Sequence, residues 1–204
     1  VEGLGRTFEA LVKKYPEEFS KKTLLFWAEK VRPVYIYHLL YGLLHAIKEK
    51  KGVNWSKVIK LMIKITLEEN LYKYEREDEL EPDWNSVFRA EMRLLNEGFS
   101  ASSIPFKERK NVWKIIERLS NHPEPDSEYE KKYGGDNMDP ATLSINTIRG
   151  ETIHGVINYA LWCSRNLKKK FLVKEAKKVL EEHLDFKKEK TLTVRSVYGW
   201  RLPN

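Results

Sequence analysis

Four residues of types that carry out chemistry stand close together in the stretch 139–165, DPATLSINTIRGETIHGVINYALWCSR: Arg149, Glu151, His154 and Asn158, with Asn146 one turn earlier. On a helix, Glu151 and His154 are neighbours at i, i+3, and His154 and Asn158 at i, i+4. An arginine, a carboxylate and an imidazole so placed can stabilise developing charge and move protons. A hydrolase needs more than these: a nucleophile, a metal cage or a loop that cradles phosphate. The sequence supplies none of them. The only adjacent glycines, Gly134 and Gly135, lack the Lys-Ser/Thr sequel of a phosphate loop. The set therefore reads as a buried polar network that ties its helix to neighbouring elements, with no catalytic role, cofactor or metal.

The other reactive side chains give a similar reading. His38 and His45 lie two helical turns apart, about 10 Å along one face, too far for a single metal ion to join, and read as core histidines. Cys163, the only cysteine, sits beside Trp162 in an apolar helix and reads as a small buried hydrophobe. One cysteine excludes an intrachain disulfide and a cysteine-based zinc site, which points to a reducing, cytoplasmic setting.

Charge is uneven along the chain. Residues 1–52 hold ten basic and six acidic groups, residues 53–164 fifteen and nineteen, and residues 165–204 twelve and five, for nets of +4, −4 and +7. The basic set in the last segment, Lys168, Lys169, Lys170, Lys174, Lys177, Lys178, Lys187 and Lys188, offers an alternative role in contacting nucleic acid or an acidic protein. Against it, stacking aromatics and clustered arginines are sparse there, and the lysines at 168–170 also suit the C-terminal end of a helix dipole. No run reaches the eighteen or so apolar residues that a membrane span needs, so no membrane role is expected. Glutamine is absent and Lys and Glu are abundant, the composition of proteins from hot habitats.

The elements that must position these groups read as helices throughout. Apolar periodicity and capping signals place them near 4–14, 21–31, 33–51, 54–69, 83–98, 105–122, 139–168 and 173–186, with a ninth near 191–198; Ser20, Asn54 and Asp83 should cap the second, fourth and fifth, and Gly52 and Gly98 should end the third and fifth. The expected fold is a single all-α domain of eight or nine mostly antiparallel helices, a HEAT- or tetratricopeptide-like array or an irregular bundle. The helices around 34–50 and 141–168 should lie at its centre. Asp139 should cap the organising helix and Pro140 fill its first position. Gly150 and Gly155 each cost a helix interior about 1 kcal/mol, so a close backbone approach, or a break near Asn146 and Thr147, should accompany them. Residues 121–138, with two prolines, two glycines and no periodicity, read as a mobile loop. A faint repeat links Asn54-Trp55-Val58 to Asp83-Trp84-Val87. A first residue that is Val and an ending of YGWRLPN suggest a piece of a longer protein.

DPATLSINTIRGETIHGVINYALW and the closing TLTVRSVYGWRLPN resemble motifs in the C-terminal helical-repeat arms of large prokaryotic signal-transducing (STAND, NACHT-like) ATPases linked to antiviral defence. The resemblance covers the last third of the chain, with a vaguer match at Trp55 to Leu61. It implies a sensor or scaffold piece that binds a protein partner or neighbouring domains of its own chain. The ATPase and effector would lie elsewhere, since these motifs transfer no catalytic residue.

Overall fold

The computed structural model describes residues 2–73, 81–168 and 173–201, and every regular element among them is helical. In order these are α1 Glu2–Lys14, α2 Pro16–Lys21, α3 Thr23–Ala28, α4 Pro33–Lys48, α5 Trp55–Thr66, α6 Trp84–Ser100, α7 Arg109–Ser120, α8 Ser127–Tyr133, α9 Pro140–Ser144, α10 Ile148–Leu167, α11 Lys174–Leu184 and α12 Leu192–Arg201. Short 3₁₀ segments cover Glu69–Lys73 and Phe106–Glu108.

The all-α class agrees with the sequence, but twelve α-helices among the described residues exceed the expected eight or nine for three local reasons. Pro16 opens α2 at the first helical position, where its missing N–H is harmless. Ser20, expected as a cap, lies within α2, and its hydroxyl accepts the Asn54 N–H at 2.9 Å. Asp126 accepts the Tyr129 N–H at 2.7 Å and so caps α8 inside the stretch 121–138, where apolar periodicity gives no sign of a helix. The organising helix divides between Ser144 and Ile148 into α9 and α10, at the break anticipated near Asn146.

Backbone contacts group the chain into two compact units, residues 1–115 and 116–204, where the sequence reads as one domain; the division falls inside α7. In the first unit α4 packs against α1, α2 and α6, and α5 against α2 and α3. Val34, Ile36, Leu39, Leu40, Leu43 and Ile47 of α4 are buried. α1 comes so close that a Cβ on Gly42 would stand 2.6 Å from Val12 Cβ and 2.8 Å from the Glu9 carbonyl oxygen. α4 stops at Lys48, short of the expected Gly52. Lys50, at φ 60°, closes the helix while Lys51 N–H reaches Ala46 O at 2.9 Å. Lys30 and Ser102 close α3 and α6 in the same left-handed way. Gly98, expected to end its helix, lies within α6, where a Cβ would meet the Trp55 ring at 2.6 Å.

In the second unit α10 packs against α9, α11 and α12, and α9 against α12. Tyr159 and Trp162 are buried on α10. Tyr159 donates to the Glu175 carboxylate at 2.9 Å, and Tyr198 of α12 donates to the Leu180 carbonyl of α11 at 2.7 Å. Glu130 of α8 accepts the Thr193 N–H at 2.5 Å, which satisfies a first-turn donor of α12.

Glu91 of α6 is fully buried. The Thr66 hydroxyl donates to its Oε2 at 2.8 Å, Oε1 has no partner, and burial pushes its pKa well above the carboxylate range. Above the unfolded pKa of about 4.3 and up to this raised value, the native state keeps a proton that the unfolded chain has lost. Stability should therefore fall as pH rises through that window. Glu91→Gln should flatten the fall, read as urea midpoints across pH, and equal slopes in the two proteins would assign it to another group.

Candidate functional site

The break between α9 and α10 sets the geometry of the expected polar set. Asp139 caps α9 by accepting the Thr142 N–H at 2.9 Å, and Pro140 follows at the first position, as expected. The Thr147 hydroxyl, at the head of α10, donates to the Ser144 carbonyl at 3.0 Å. Folding back in this way brings the Ser144 carbonyl oxygen to 2.2 Å from where a Gly150 Cβ would stand. Any side chain at 150 would collide with backbone, which accounts for the first helix-interior glycine.

Arg149, one residue earlier, points out of α10 into the turns at 122–125 and 189–191. Its backbone N–H donates to the Glu124 carbonyl at 3.1 Å. Nη1 donates to the carbonyls of His122 at 2.6 Å and Pro123 at 2.8 Å, and Nη2 to Pro125 at 2.5 Å. Nε and Nη2 grip the Glu189 carboxylate in a two-pronged pair, each at 3.0 Å. Both partners are withdrawn from solvent, with side chains 13% and 4% exposed. Glu189 also takes His183 Nδ1–H at 2.9 Å and the Thr191 N–H and hydroxyl at 3.1 and 2.5 Å. Burial pushes the Glu189 pKa up, but the hydrogen bonds from His183, Arg149 and Thr191 outweigh it and hold the group at about 2.

His154 and Asn158 face α12. The Ser144 hydroxyl donates to the Ala141 carbonyl at 2.6 Å, so at its 3.3 Å contact with His154 it accepts from Nε2–H of the neutral ring. The ring meets Trp200 edge to face at 5.2 Å, and Asn158 Oδ1 accepts from Arg201 Nη2 at 2.6 Å. Burial, and then the Arg201 charge, lower the His154 pKa to about 4. Asn146 is exposed at the break and donates to the Thr142 carbonyl at 3.3 Å, while Glu151 is buried in the first turn of α10. The five residues thus occupy four different environments.

Of the basic set, Lys168 closes α10 in the left-handed region, Lys174, Lys177 and Lys178 are exposed on α11, and Lys187 and Lys188 are exposed after it. Lys169 and Lys170 lie outside the described residues. Cys163 is buried, and among the described residues no group of three His, Cys, Asp or Glu side chains could hold a metal. Nor is any described helix long and apolar enough to cross a membrane.

Glu189, His183 and Thr191 were not singled out in the sequence. The signal for Glu189 is its position as a lone acid in the basic run Lys187-Lys188-Glu189-Lys190. In the first unit Glu9 joins the two histidines that no metal could bridge: its carboxylate lies 2.7 Å from His38 Nδ1 and 3.4 Å from His45 Nε2. The clue was Gly5 and Gly42, each four residues from one partner, since a Cβ on Gly5 would fall 2.4 Å from the His38 ring. Beside this pair Arg93 donates to the Tyr41 hydroxyl at 2.5 Å, and burial followed by Tyr41 raises the Tyr37 pKa. An apolar groove of about 350 Å³ opens elsewhere in this unit among Phe26, Trp27, Val31, Ile36, Leu71 and Trp84.

Comparison with protein-family models, with curated proteins and with solved structures found no match to this chain.

Removing Arg149 strands a buried carboxylate and three carbonyls, so Arg149→Ala should cost about 3 kcal/mol and lower the melting temperature; an unchanged melting temperature would refute a structural role. His154 gives a different signature. Between pH 6.5 and about 4 the unfolded state binds the proton that the native ring refuses. Stability should therefore drop as pH falls through that window, and His154→Gln should lessen the drop in thermal melts.

Proposed function

We propose that the chain is a non-catalytic recognition or scaffold module built as an array of antiparallel helices. Its partner is a protein or a neighbouring domain of its own chain. The resemblance to the C-terminal arms of STAND and NACHT-like ATPases suits such a module acting as a sensor arm. The observation that carries this reading is the engagement of Arg149: Nε and both terminal nitrogens bind groups of the fold itself. A guanidinium that stabilised a reacting anion would keep donors for it. Arg149 instead holds α10 to the turns beside it, while Leu161 of α10 and Leu192 and Trp200 of α12 remain about half exposed.

Apolar contact implies weak salt dependence. A nuclease-treated pull-down should capture a protein at high salt, the purified pair should reassociate, and Leu161→Asp with Leu192→Asp should weaken it. Capture abolished by nuclease would instead favour a second reading, binding of nucleic acid through the basic C-terminal segment. That reading draws on the exposure of Lys174, Lys177, Lys178, Lys187 and Lys188.

A further inference from the structure

We infer that the turn between α11 and α12, residues 185–190, is a contact site for single-stranded nucleic acid, with Phe186 stacking on a base and Lys187, Lys188 and Lys190 meeting phosphates. The inference rests on the second reading above and gives it a place and a mechanism. Phe186 is 65% exposed, the most exposed large hydrophobic side chain among the described residues, and Leu184 beside it is 57% exposed. All three lysines are exposed, and none forms an ion pair among the described residues.

The acids of the turn are already engaged. Asp185 Oδ1 accepts the Lys187 N–H at 2.9 Å, and its carbonyl accepts from Lys188 and Glu189 at 3.0 and 2.9 Å. Glu189 is neutralised by Arg149 and held by His183. Three lysines against the single uncompensated charge of Asp185 leave the outward face net cationic around one exposed aromatic ring, on a backbone fixed before any ligand arrives. A hollow of about 370 Å³ adjoins it, with Asn121, Pro123, Asp126, His183, Lys188 and Lys190 among its lining residues.

An aromatic platform flanked by lysines is how proteins hold single strands without reading sequence: every base offers a π-face, and the backbone offers a charge at each step. A duplex would satisfy the lysines but leave Phe186 without a base to stack on. A lipid surface asks for a broad apolar face, and here one ring and one leucine stand among lysines.

Fluorescence anisotropy with labelled oligouridylate and oligothymidylate of about a dozen nucleotides tests the assignment, using the full chain at low salt, and the pair separates RNA from DNA. Phe186→Ala should weaken binding roughly tenfold. Replacing Lys187, Lys188 and Lys190 with Ala should lower the slope of log affinity against log salt by about 2. Both variants alter exposed side chains and should melt like the parent. Replacing Lys174, Lys177 and Lys178 with Ala should do less. Salt-dependent binding untouched by Phe186→Ala, or equal losses from the two lysine triples, would overturn the turn as the site while leaving the second reading standing. No oligonucleotide binding, or binding to phosphatidylserine vesicles in its place, would overturn both.

Discussion

The second unit depends on a guanidinium taken out of water. Desolvating Arg149 and Glu189 carries a penalty of several kcal/mol per ion, and their attraction offsets it only if the remaining donors and acceptors are also satisfied. Here they are: the carbonyls of His122, Pro123 and Pro125 lie on one side of Arg149, and His183 and Thr191 meet the carboxylate from the other. Because the partners come from stretches 24 to 42 residues away in sequence, the pair fixes two otherwise irregular turns against α10.

A second constraint, shared by both units, is how close helices can come. Gly42 admits α1 to α4, Gly98 admits the Trp55 ring to α6, and Gly150 admits the end of α9 to α10. In each place a methyl group would overlap a neighbour, so the loss of helix propensity is offset by contacts that a larger residue would forbid. The same approach brings the Glu9 carboxylate between His38 and His45, where α4 alone could not have joined them.

These two constraints explain what was legible in the sequence. Helix positions and the caps Asn54, Asp83 and Asp139 were legible because they depend on neighbours a few residues away, and each accepts an N–H as expected. The central places of α4 and α10 were legible from their apolar length. Arg149 was recognisable as unusual, but Glu189 and the 122–125 carbonyls were not, because a long-range ion pair leaves no periodicity. α8 was missed because its value lies in a polar contact, Glu130 to the start of α12, while apolar patterning registers only buried faces. The helix ends were misjudged where glycine was expected as the stop, at Gly52 and Gly98.

That last difference says something about how the chain could change. Four helix or turn closures rest on Lys30, Lys50, Ser102 and Lys168 in a backbone conformation that disfavours any residue with a Cβ, by about 1 kcal/mol each. All four side chains sit at the protein's edge, away from the core. The fold therefore stands below the stability its architecture permits, with slack confined to exposed corners away from the Arg149 anchor. Such corners are open to evolutionary drift and to thermostabilising redesign, and a lineage moving to hotter conditions could tighten them one by one without disturbing its packed helices.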